Sequence, residues 1–217
     1  MATLNSPKDI KMRNEVDNFE QIKSMLVFDS EDDFYHLQIL KRKKEHLDLG
    51  SNSLVIKTYY ISSAEYLKMK RGEIVHLCDF HSARAYINLN RRSFEKIAFN
   101  TLKKITDQIM NRDFRSVRKA YESTCGAHSN EPHRKWILDI DWADYGSNKD
   151  KQLDVLVAIR QKVELLLQEA GKDLTVHVVE TKNGVHLITP SFNPMTFKKQ
   201  FPEVDIQKNN PTILYVG

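Results

Sequence analysis

Lys135-Trp-Ile-Leu-Asp-Ile-Asp-Trp142 is the stretch on which the reading of this chain turns. Trp136, Leu138 and Ile140 alternate with Ile137, Asp139 and Asp141. In a strand, period-two geometry places Asp139 and Asp141 side by side on one face. Two carboxylates on a core strand repel each other and resist desolvation. A divalent cation removes that cost, and Mg²⁺ typically takes one or two carboxylates together with substrate phosphates. The plainer alternative is a strand that ends at Asp139, with Asp141 already in a turn before Asp144-Tyr-Gly-Ser147.

Working outward, apolar residues recur at helical spacing over 153–170 and stop at Gly171, a residue suited to a C-cap. Residues 174–180 and 185–189 read as strands joined by the tight turn Lys182-Asn-Gly184, a hairpin signal. A last strand is expected over 212–216. Upstream, strands are expected over 25–28, 34–40, 54–61 and 84–90. Ser62-Ser-Ala-Glu65 opens a short helix through Lys70. Ser93 caps a long helix carrying Phe94, Ile97, Ala98, Leu102, Ile105 and Ile109. A short helix follows over 117–121, then a loop from Cys125 to Pro132. Strands mixed with two long helices, with a hairpin late in the chain, indicate an α+β fold. Residues 1–22 are polar and weakly patterned and read as a flexible segment or a loose helix. Residues 23–217 read as one domain, with 23–82 as an N-terminal subdomain.

Of the 217 residues, 41% are hydrophobic and 29% charged, a globular composition. No apolar run approaches the roughly 20 residues that span a bilayer. The N-terminus lacks the basic start and apolar core of a signal peptide, so a cytoplasmic location without membrane contact is expected. Cys78 and Cys125 are the only cysteines, too few for a disulfide framework. The net charge is +4, with positives clustered over 41–44, 68–71, 91–92 and 112–119. Such clusters suit a polyanion, although solvated helix faces carry the same pattern.

Three groups of residues bear on chemistry. His186 lies just past the hairpin turn beside Lys182, where it could donate to a phosphate or sit as an ordinary half-buried histidine. Cys78-Asp-Phe-His81 and Cys125-Gly-Ala-His128 are both Cys-x-x-His. Cys78, His81, Cys125 and His128 could thus form a tetrahedral Zn²⁺ site, with His76 and His133 in reserve, or simply be buried thiols and surface imidazoles. No Walker loop, dinucleotide fingerprint or Gly-x-Ser-x-Gly elbow occurs.

Asp139-Ile-Asp141, a helix, a hairpin bearing Gly184-Val-His186, and Val204-Asp205 before a final strand form an ordered set. The set resembles the catalytic core of the archaeo-eukaryotic primase, or primase-polymerase, superfamily, in the divergent form carried by phages and mobile elements. That family combines a hydrophobic-Asp-hydrophobic-Asp strand, a later motif ending in His, and a hydrophobic-Asp motif. Carried over, Asp139 and Asp141 match the first, Gly184-Val-His186 the second and Asp205 the third. Two positions depart from the pattern: Gly184 stands where Ser is usual, and Tyr215 where many members have Arg. The resemblance covers at most residues 84–215.

The resemblance implies an RRM-like mixed or antiparallel sheet with flanking helices. It also implies a metal-dependent nucleotidyltransferase, a DNA primase or polymerase, using Mg²⁺ or Mn²⁺ held by Asp139, Asp141 and Asp205. Two such ions would activate a primer hydroxyl and stabilise the leaving pyrophosphate. His186, Lys182 and Arg84 would contact the nucleotide phosphates. The implied partners are a DNA or RNA template, nucleoside triphosphates and replication proteins. The same residues would serve a metal-dependent nuclease, and the same fold a non-catalytic nucleic-acid-binding protein.

Overall fold

Alternating apolar and polar side chains draw the chain into two antiparallel sheets, with helices on their outer faces. The computed structural model describes residues 15–46, 50, 53–129 and 134–217. In chain order the elements are β1 (Val16–Asp17), α1 (Phe19–Met25), β2 (Asp33–Lys41), β3 (Leu54–Ile61), α2 (Ala64–His81), β4 (Arg84–Ile87) and β5 (Arg92–Ser93). There follow α3 (Phe94–Met110), α4 (Ala120–Ala127), β6 (Lys135–Asp141), α5 (Lys149–Glu169), β7 (His177–Glu180), β8 (Gly184–Pro190), α6 (Pro194–Lys198), β9 (Asp205–Gln207) and β10 (Thr212–Val216). One sheet runs β1-β10-β4-β2-β3, with β5 beside β2; the other runs β7-β8-β6-β9. The fold is α+β. Among the described residues no helix is long and apolar enough to cross a membrane.

Separate clusters of buried side chains hold the layers. Leu37 and Ile39 of β2 pack with Phe19 and Ile22 of α1 and with Leu67, Ile74 and Cys78 of α2. Ile137, Val179 and Ile188 from the second sheet join that cluster, so the sheets share apolar contact. On its other face the second sheet sets Leu138 and Ile140 against Ile159, Val163 and Leu167 of α5. Phe34, Ile97 and Cys125 form a third cluster where α3 and α4 cover β2.

Several boundaries differ from the sequence reading. Residues 15–22 are not loose: Val16 pairs with Val216, and Ile22 is fully buried. Residues 1–14 lie outside the described residues. The strand expected over 25–28 is absent, because α1 runs to Met25. The subdomain expected over 23–82 does not stand apart, since β2 pairs with β4 and β4 with β10. Helix α2 does not stop at Lys70 but continues to His81. Gly72 in a helix interior costs about 1 kcal/mol, and burial of Ile74 and Cys78 beyond it outweighs that. Cys125 is in α4 and not in a loop.

His36 on β2 is buried beneath Tyr60, with Nε2 3.3 Å from Glu122 Oε2. Burial, opposed by Glu122, holds its pKa below the ordinary value. The unfolded chain, with an imidazole near pKa ~6.5, therefore takes up the proton more readily than the folded one. The stabilisation is complete above that value and is lost as pH falls below it through the folded pKa. Thermal unfolding followed from pH 7 to pH 5 should show a falling Tm. His36→Gln should make that fall shallower, while His177, also held low by burial, retains a share of it.

Candidate functional site

The pairing of β6 with both neighbours builds the site. Asp139 stands opposite His186 on β8 and opposite Asp205 on β9. Residues directly opposite in antiparallel strands project from the same face with Cβ atoms about 4.5–5.5 Å apart. Asp205, Asp139 and His186 thus form a row across three strands. Gln207 Nε2 donates to Asp139 Oδ2 at 3.3 Å and to Asp205 Oδ2 at 3.0 Å, tying the two carboxylates together. His186 Nε2 lies 3.4 Å from Asp139 Oδ1, and its Nδ1 lies 2.8 Å from the Thr212 hydroxyl on β10. Its ring therefore bridges the two sheets. The hydrogen bond from His186, ahead of burial acting in the opposite sense, holds the Asp139 carboxyl below its usual pKa.

Asp141 is the last residue of β6, so the strand does extend through both aspartates. Its Oδ1 accepts the Ala143 N–H at 3.1 Å and opens a 3-10 turn over Trp142–Tyr145. Asp139, Asp141 and His186 line a cleft of about 620 Å³ between the two sheets. Lys182 closes it from the hairpin loop, and Arg42, Lys44 and Arg84 border it from the first sheet's side. The Arg84 guanidinium is engaged by Glu45 through Nε at 3.0 Å and through Nη2. Of the four basic clusters, only 41–44 reaches this cleft. Arg91 instead pairs with Asp29 and Asp33. The fully buried Arg92 donates to the carbonyls of Asn90 and Cys125. Lys70 pairs with Glu73 and Arg71 with Asp17.

The structure does not bring the two Cys-x-x-His pairs together. Cys78 packs in the core under the first sheet, whereas Cys125 packs with Phe34 and Ile97 in a separate cluster. Burial pushes both thiols up to about 12. Among the described residues, no three His, Cys, Asp or Glu side chains are gathered closely enough to hold a metal ion; His133 lies outside those residues. For the carboxylates this means that Asp139 and Asp205 are adjacent, while Asp141 is turned toward the Ala143 N–H.

Gly184 stands opposite Asp141, and a Cβ placed on it would lie 1.9 Å from the Ile140 carbonyl oxygen. No side chain fits there without parting β6 from β8. The glycine is needed for close approach of the backbones rather than for a left-handed turn. Tyr215 is buried in the first sheet and donates to Asp79. Two site residues escaped the sequence reading. Gln207 shares a face with Asp205 by strand periodicity and was legible in principle. Thr212 comes from the other sheet and leaves no local signal.

No family model matches this chain, and neither the curated proteins nor the solved structures compared with it yield a match. Gly184→Ser should destabilise the fold by roughly 1–3 kcal/mol through overpacking. Gly126→Ser, at a position with open space around the glycine, should cost less; denaturant unfolding of the two variants checks the contrast.

Proposed function

We propose that this chain is a metal-dependent nucleotidyltransferase of the primase-polymerase kind, acting on a nucleic-acid strand and nucleoside triphosphates. The observation that carries the reading is the row Asp205–Asp139–His186, whose Asp139 and His186 line a cleft bordered by Arg42, Lys44 and Lys182. The succession β6-α5-β7-β8-α6-β9, with β8 between β6 and β7, supports it. That is the split β-α-β arrangement of RRM-like sheets.

Mg²⁺ and Mn²⁺ are hard cations, and one or two carboxylates suffice when phosphate oxygens complete the shell. Asp139 and Asp205 fit that donor set, with Asp141 two residues along the same face. Bound there, such an ion activates a hydroxyl nucleophile and stabilises the negative charge on the leaving group. The chain's own residues do the rest. Arg42, Lys44 and Lys182 draw a triphosphate into the cleft. Thr212 fixes the His186 ring through Nδ1, which leaves Nε2 to serve a phosphate oxygen or Asp139. Gln207 keeps the two like charges together through its amide.

The test is incubation with Mg²⁺ or Mn²⁺, nucleoside triphosphates and a primed single-stranded template. Strand extension is expected, falling to background in Asp139→Ala and Asp205→Ala. His186→Ala should act mainly by raising KM for the nucleotide. A wild type that binds nucleic acid but incorporates nothing would sink this reading and leave a binding protein. Template degradation lost in the aspartate variants would make the chain a nuclease.

A further inference from the structure

A second groove, of about 870 Å³, lies at the opposite end of β6 from Asp141. Arg134, Lys135, Lys172 and Lys208 border it, and Trp136 forms part of its wall. Its carboxylate, Asp173, already accepts the Thr175 N–H and hydroxyl. Lys208 Nζ sits 5.1 Å above the Trp136 ring, and Lys172 Nζ is held by the carbonyl and hydroxyl of Ser191 at 2.7 and 2.8 Å. Four cations around one groove repel one another, and a partner carrying a row of negative charges relieves that repulsion.

We propose that this groove binds a single-stranded stretch of nucleic acid, with phosphates on the lysines and Arg134 and an unpaired base against Trp136. Cationic grooves with an aromatic wall take single strands because every unpaired base offers a face for stacking, which a duplex keeps hidden. An acidic peptide would satisfy the charges and leave the indole unused. Lys135 lies four residues before Asp139 on the same strand, about 13 Å away at about 3.3 Å per residue. The proposal shares with the preceding reading the nature of the ligand, but it concerns binding alone and needs no metal and no turnover.

Trp136 and Trp142 are the only tryptophans, so the Trp142→Phe variant of the full chain makes Trp136 the sole indole reporter. The probe is an oligothymidylate of about 12 nucleotides, within the length one such site covers. It is titrated in metal-free buffer over a series of salt concentrations. Saturable quenching is expected, with log affinity falling linearly against log salt. Adding Lys172→Glu and Lys208→Glu, both at exposed positions, should weaken binding at least about tenfold and lower the salt slope by about 2. Absence of quenching, or quenching unchanged by the charge reversals, overturns the proposal. Equal quenching by polyglutamate or by duplex DNA also overturns it, because the groove would then be a general polyanion surface. Quenching without nucleotide incorporation defeats only the enzymatic reading, and incorporation without quenching defeats only the groove.

Discussion

A slip of β6 by one residue against its neighbours would turn Asp139 and Asp141 from the cleft into the apolar layer beneath α5. Everything proposed for this chain depends on that register. Ile137 goes to one core cluster and Leu138 and Ile140 to the other, so each face of β6 has a fixed destination. Asn90 adds a polar clamp: its Oδ1 accepts the Lys135 N–H at 2.7 Å, and its Nδ2 donates to the Lys135 carbonyl at 2.9 Å. At the other end Gly184 admits the β8 backbone against Ile140 where no other residue would fit. Apolar partition, a side-chain clamp and a steric requirement all specify the same alignment.

The second dependence is between the sheets. Asn18 Nδ2 donates to the carbonyls of Glu180 and Ile213, one in each sheet, at 2.9 and 3.1 Å. Asn88 Nδ2 reaches the Asn209 carbonyl at 2.6 Å, anchoring the turn between β9 and β10. Buried amides of this kind are costly when left unpaired, so they oppose relative sliding of the two layers. The cleft inherits that rigidity, because Asp139 and Asp141 come from one sheet and Arg84 and Tyr86 from the other.

Much of this was legible in the sequence, and the rest was not, for identifiable reasons. Strand periodicity placed both aspartates of β6 on one face, but the hairpin at 182–184 sets His186 against Val179, and the pairing of β8 with β6 that brings it beside Asp139 left no local signal. The hairpin was read correctly for the wrong cause, since Gly184 answers to a contact 44 residues away in sequence, at Ile140. Polar composition hid β1 and α1, where Val16, Phe19 and Ile22 are few but all buried. In the opposite direction, the helical stripe of α3 promised more core than it delivers: Leu102 is 63% exposed and Ile109 49%. The paired Cys-x-x-His spacings say nothing about which core each cysteine enters, and Cys78 and Cys125 enter different ones. Clustered charge was ambiguous in the same way, and only the fold separates Arg42 and Lys44 from Arg91 and Arg92.

The place of β10 between β1 and β4 has a consequence for how the molecule comes into being. The second sheet is contiguous in sequence from β6 to β9 and can pair as it is synthesised. The first sheet cannot be completed until residues 212–216 exist, since until then β4 presents an open edge and β1 has no neighbour. Open edges of this kind invite pairing with other chains, and long-range closure is slow because the loop entropy is lost before the contact forms. Arrival of β10 covers that edge and, in the same step, delivers the Thr212 hydroxyl to His186. Completion of the sheet and alignment of the histidine are thus one event, and a nascent chain has no oriented His186 before the sheet is whole.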